Sequence, residues 1–134
     1  MGVGEAVIVA GIGCRKGASA TEVEAAIAAA LERAGPSLAR IDLMATARAK
    51  REEKGIVEAA SARGVPLVFV TLADLEIASA RGATWSSRVL ALAGVPSVAE
   101  AAALAACGPK AKLVLPRMVL GAVTCALASA EEAP

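Results

Sequence analysis

The stretch AVIVAGIGCRKGASATEVEAAIAAALERAGP, residues 6–36, decides the fold, because it passes from strand through turn to helix in one continuous run. AVIVA, residues 6–10, is apolar, contains β-branched side chains and is bounded by glycine, so it reads as a buried strand. The helix opens at Ser19, which with Glu22 has the spacing of a reciprocal capping box. It closes at Gly35, suited to a positive φ after the last turn, and at Pro36, which cannot continue a helix. Between them GIGCRKGAS, residues 11–19, reads as a glycine-rich loop carrying a cysteine and two adjacent cations.

Working outward, the same alternation recurs. IDLMAT, residues 41–46, reads as a second strand, followed by the charged run RAKREEK, residues 48–54, and the helical pattern GIVEAASARG, residues 55–64. VPLVFVT, residues 65–71, is a third strand, and Thr71 with Asp74 starts a short helix. Two more helices are expected at residues 86–94 and 97–108, the second opened by a capping box of Ser97 and Glu100. AKLVLP, residues 111–116, and GAVTCALAS, residues 121–129, read as closing strands joined by RMVL, residues 117–120. That joint is too short for a crossover helix and requires an antiparallel pairing. The repeated GVP at residues 64–66 and 94–96 marks helix termination, since one copy leads into a strand and the other into a helix. The expected fold class is α/β: a three-layer α/β/α arrangement with a mixed, mostly parallel sheet of about five strands, formed by residues 1–134 as a single domain.

Composition narrows the function classes. Phe69 and Trp85 are the only aromatic residues and the net charge is +1, which leaves neither stacking platforms nor a basic field for nucleic acid. The longest uncharged apolar stretch, MVLGAVTCALASA, is shorter than the roughly 20 residues of a membrane span. Glu5 lies where a secretory leader carries positive charge, so a cytoplasmic location is expected. Three widely spaced cysteines form no disulfide framework or C-x-x-C pair, and histidine is absent. With histidine go the usual general base and the commonest metal ligand, so neither a metal nor a cofactor is expected.

The chemistry-bearing residues cluster at two strand exits. At the first, Gly11, Gly13 and Gly17 do not have the dinucleotide or phosphate-loop spacing, but a glycine-rich turn before a helix aims amides and the positive dipole end at one point. An anion bound there would meet Arg15, Lys16 and Ser19; the plain alternative is a turn with solvated cations. Cys14, near a helix start and beside two cations, has surroundings that favour its thiolate, or is a small residue packed under the turn. At the second exit Lys50 reads as an anion contact and Glu53 as a base or orienting acid, the edge of the sheet being where open α/β folds bind ligands. Against that stands the reading of the run as a solvated helix start.

Taken together, GIGCRKGASATEVEAAI, the exit carrying Lys50, Glu53 and Gly55, GVPSVAEAAAL and the ending LVLPRMVLGAVTCALA resemble the CobE family of cobalamin biosynthesis proteins, which is similar to the C-terminal domain of CbiG. The resemblance carries the glycine-rich motif onto Gly11, Gly13, Cys14, Arg15, Gly17 and Ser19 and the second motif onto Lys50, Glu53 and Gly55. The later motifs fall on Pro96, Ser97, Ala99 and Glu100, and on Pro116, Gly121 and Thr124, while Arg48 and Lys54 depart from the pattern. It implies a role in the vitamin B12 pathway, with a precorrin or hydrogenobyrinic acid-like tetrapyrrole as ligand and other pathway enzymes as partners. Three activities fit: binding and presenting the intermediate, hydrolase-type opening of a lactone-bearing precorrin as in CbiG-type enzymes, or service as a non-catalytic partner of pathway methyltransferases. The acetate and propionate chains of such a ring match Arg15, Lys16 and Lys50 in charge, since guanidinium groups pair with carboxylates through two hydrogen bonds.

Overall fold

A computed structural model describes residues 6–35, 40–80 and 98–131. The elements in order are β1 (Ala6–Cys14), α1 (Ala20–Ala34), β2 (Leu43–Ala47), a 3-10 turn (Arg48–Lys50), α2 (Lys54–Arg63), β3 (Leu67–Val70), α3 (Leu72–Ala80), α4 (Val98–Cys107), β4 (Lys112–Leu120) and β5 (Val123–Glu131). The helix expected over residues 86–94, together with Trp85, Pro96 and Ser97, lies outside the described residues.

The strands form one sheet in the order β3-β2-β1-β5-β4. The β1–β2 and β2–β3 pairings are parallel and the β1–β5 and β5–β4 pairings antiparallel, so β5 alone runs against the other four. The antiparallel closing pair expected from its short joint is present. Strand alternation sorts side chains into two cores. Ile8, Ala10 and Ile12 of β1, Met44 of β2 and Val123, Cys125 and Leu127 of β5 pack with Val23 and Ile27 of α1 and Ile56 and Ala59 of α2. Val9, Ala45, Ala47 and Ala128 face the other way, against Leu75 and Ala78 of α3 and Ala101–Leu104 of α4. This is the three-layer α/β/α arrangement.

Local chemistry explains the helix ends. Ser19 Oγ accepts the Glu22 N–H at 3.1 Å and Glu22 Oε1 accepts the Ser19 N–H at 2.9 Å, completing the box at the start of α1. Thr71 Oγ1 accepts the Asp74 N–H at 3.1 Å and caps α3. Across the helix layer, Arg63 Nε donates to Glu24 Oε1 at 2.9 Å and ties α2 to α1.

Two expectations are corrected. β1 does not stop at Ala10 but runs to Cys14, paired with β5 along its whole length. Gly11 and Gly13 are therefore strand residues, and the loop proper begins at Arg15. At Gly11 the missing side chain serves close approach: a Cβ there would strike the Ala99 carbonyl oxygen and come within 2.8 Å of Ala103 N and 2.9 Å of Ala103 Cβ. Alanine-rich α4 thus lies directly on the strand. The segment RMVL, secondly, is no joint but the second half of β4, and the turn is Gly121–Ala122, with Gly121 at φ 60°. β4 is an edge strand with register shifts on both sides of Leu115, the placement that tolerates Pro116, which has no amide to give a ladder.

Candidate functional site

At the C-terminal ends of β1 and β2 the surface folds into an open concavity of about 470 Å³. Gly13, Cys14 and Arg15 supply the β1 side, and Ala47, Ala49 and Lys50 the β2 side. Val98 and Ala99 from the first turn of α4 form one wall. Val119, Gly121, Ala122 and Thr124 of the β4–β5 hairpin form another. Among the described residues its ionisable lining groups are Cys14, Arg15 and Lys50, and apolar side chains lie at its rim, Val98 being 45% and Val119 66% exposed. Residues 35 positions apart reach the same concavity because β1 and β2 are parallel neighbours, so the segments leaving them emerge on one edge.

The sequence suggested loop amides open to an anion, but those of Arg15, Gly17 and Ala18 are engaged within the protein. Arg15 N–H donates to Ala122 O at 2.9 Å, Gly17 N–H to Glu53 Oε1 at 2.9 Å and Ala18 N–H to Arg15 O at 3.2 Å; the Ser19 and Glu22 amides are consumed by the capping box. The positive charge at the concavity is that of the Arg15 and Lys50 side chains. Arg15 lines the concavity, Lys16 is exposed on the loop beyond it, and Gly17 holds a positive φ of 86° that lets the loop turn back toward α1.

Glu53, read in the sequence as a base or orienting acid, accepts the Gly17 N–H on Oε1 at 2.9 Å and so joins the two strand exits. Gly55 completes the joint, since a Cβ there would strike the Ala18 carbonyl oxygen and lie 2.8 Å from the Ser19 carbonyl carbon. The Cys14 thiolate is not favoured. Burial pushes the thiol up from its ordinary value and the nearby Glu53 carboxylate adds to that, while Lys50 pulls downward without prevailing and Glu22 again raises it. Cys14 is a half-buried neutral thiol on the cavity wall.

Gly11 lies beneath α4, away from the lining, and Glu100 is buried at the start of α4, with its Oε2 accepting the Arg117 N–H at 3.0 Å. That bond anchors the hairpin at the bulge where β4 breaks register. Among the lining residues, Ala47, Ala49, Val98, Val119 and Ala122 carry no chemical signature in the sequence, whereas Ala99, Gly121 and Thr124 fall on motifs of the resemblance. Among the described residues no group of three or more Cys, Asp or Glu side chains is gathered to hold a metal ion. No described helix is long and apolar enough to cross a membrane.

Residues 8–128 match the family described as Cobalamin synthesis G C-terminus. This chain belongs to that family. It is 38% identical over 121 residues to Protein CobE of a Sinorhizobium species, covering 90% of this chain and 79% of that one. Among solved structures it is similar to cobalamin biosynthesis protein chiG from Agrobacterium tumefaciens, with 47% identity, coverage of 91% of this chain and 97% of that one, and a TM-score of 0.76. It is also similar to CobE of the cobalamin biosynthetic pathway, at 34% identity, coverage of 94% and 95% respectively, and a TM-score of 0.78. A putative cobalamin biosynthesis protein G homologue from Sulfolobus solfataricus matches at 27% identity and a TM-score of 0.65, over 92% of this chain but 36% of that larger protein. The protein is thus a cobalamin biosynthesis protein of the CobE and CbiG C-terminal type, as the sequence motifs implied.

Proposed function

We propose that this member of the family binds a precorrin or corrin-type intermediate by its carboxylate-bearing edge and presents it to pathway enzymes. The observation that carries this reading is the convergence of Arg15 and Lys50, from two separate strand exits, on one concavity with apolar walls. A volume near 470 Å³ falls within the usual range of about 300–1,000 Å³ for small-molecule sites, and its open side accommodates the rim of a larger ring. Val98, Ala99 and Val119 offer the apolar surface, and the cations meet the acidic side chains. Binding rather than turnover is favoured because burial raises the pKa of the lining thiol and the Glu53 carboxylate at the second strand exit accepts the Gly17 N–H.

Titration with hydrogenobyrinic acid tests the reading. A hydrogen bond to a charged group is worth about 1.5–3 kcal/mol, and Arg15 is exposed, so solvent screening trims its share. The Arg15→Ala, Lys50→Ala double variant is expected to bind roughly tenfold or more weakly, with the difference shrinking at high salt. Equal affinity in parent and double variant overturns the site. Acetaldehyde released from a lactone-bearing precorrin would replace presentation by hydrolysis.

A further inference from the structure

The loop that carries Arg15 is pinned at three points: Arg15 N–H on Ala122 O, Gly17 N–H on Glu53 Oε1, and the Ala18–Ser19 backbone lying on Gly55. Of these three contacts, the one to Glu53 alone is made by a side chain. Glu53 also belongs to the other exit, because its own N–H donates to Lys50 O at 2.9 Å and closes the turn that presents Lys50. It occupies the N-cap position of α2, yet its side chain makes no capping hydrogen bond there. Short polar side chains, Ser, Thr, Asp and Asn, are the good N-caps. Here a longer one leaves the helix end uncapped and reaches a backbone amide 36 residues away.

We propose that Glu53 is a positioning residue: by accepting the Gly17 N–H it fixes the Arg15 loop against the Lys50 turn and so sets the spacing of the two cations for a ligand bearing several carboxylates. The inference rests on the corrinoid reading above and deepens it, since it concerns how the same site is tuned. Glu53's charge works against its geometry. The field that helps keep the Cys14 thiol neutral also repels an incoming carboxylate, so the bond geometry favours the ligand while the charge opposes it.

Three substitutions separate these effects. Glu53→Gln keeps the acceptor and removes the charge. Glu53→Asp keeps the charge, supplies a better N-cap and is shorter by one methylene, about 1.5 Å. Glu53→Ala removes both charge and acceptor. Affinity for hydrogenobyrinic acid and amide hydrogen exchange at Gly17 are measured for each. Glu53→Gln is expected to keep the Gly17 amide protected and to bind as tightly as the parent or up to about threefold tighter. Glu53→Asp and Glu53→Ala are expected to lose that protection and bind roughly three- to tenfold more weakly, although Glu53→Asp unfolds at no lower urea concentration than the parent. Glu53→Gln binding as weakly as Glu53→Ala overturns the proposal, as do unchanged affinity in all three or unchanged Gly17 exchange in Glu53→Ala. If the parent itself fails to bind the corrinoid while Gly17 protection follows the expected order, the tether stands and it is the ligand reading that fails.

Discussion

Replacing Gly11 by alanine places one methyl group between β1 and α4. It would strike the Ala99 carbonyl oxygen and lie 2.8 Å from Ala103 N and 2.9 Å from Ala103 Cβ. Carbon atoms pack at about 3.5–4.0 Å, so α4 has to retreat by roughly 1 Å from the strand. Overpacking costs about 1–3 kcal/mol, and because two of these three obstacles are helix backbone rather than flexible side chain, the expected loss is near the top, about 3 kcal/mol. Gly13 provides the control. It lies two residues further on, on the same side of the sheet, but its nearest obstacles are Thr124 Cβ at 3.9 Å and Ala99 N at 4.0 Å, and its φ is not positive. Alanine fits there, and by restricting the unfolded chain it adds about 0.4–1 kcal/mol. With a urea slope of about 1.5 kcal/mol/M, Gly11→Ala should lower the unfolding midpoint by about 2 M and Gly13→Ala raise it by about 0.5 M. A Gly11→Ala midpoint within about 0.3 M of the parent, or equal losses at both positions, would refute the argument that α4 rests on bare backbone at Gly11.

Two other expectations concern the buried sheet. Thr46 is fully buried and donates its hydroxyl to Ile12 O at 2.7 Å, so Thr46→Val should cost about 1 kcal/mol, seen as a thermal midpoint lower by about 3 °C, with Thr46→Ser losing less of the hydrogen-bond contribution. Burial pushes the Cys125 thiol up to about 12, whereas in the unfolded chain it titrates near its ordinary value of about 8.5. Above that value the unfolded chain has shed a proton the folded chain keeps, so stability falls as pH rises toward 12 and is unaffected below about 8. Urea midpoints from neutral to strongly alkaline pH should therefore decline more steeply in the parent than in Cys125→Ala; parallel declines would count against it.

The α/β class, the antiparallel closing pair and the capping box at Ser19 were legible in the residues themselves. Each depends on signals spaced within a few positions: the two-residue period of strands, a cap and its partner three residues on, glycine and proline at a helix end. The site was legible only as a pair of strand exits. Reading Gly11 and Gly13 as turn residues failed because glycine in a strand and glycine in a loop look alike in sequence; what separates them is the helix lying on Gly11. Cys14 stood between two readings, a thiolate and a small packed residue, because its adjacent cations are visible in sequence while its burial and the Glu53 carboxylate, which decide for the second, are not.

By itself the chain of residues settled the α/β alternation of its described elements, though not the far end of β1 or the extent of β4, and that Arg15 and Lys50 leave successive strands toward one edge. Only the tertiary structure decided that the Arg15, Gly17 and Ala18 amides are satisfied within the protein, that Glu53 and Gly55 bind the two exits together, and that α4 and the β4–β5 hairpin wall the concavity. The division follows from range. Hydrogen-bonded caps and periodicity act over three or four residues, whereas Gly17 meets Glu53 across 36 positions and Ile12 meets Thr46 across 34, contacts that exist only once the sheet has brought distant segments side by side.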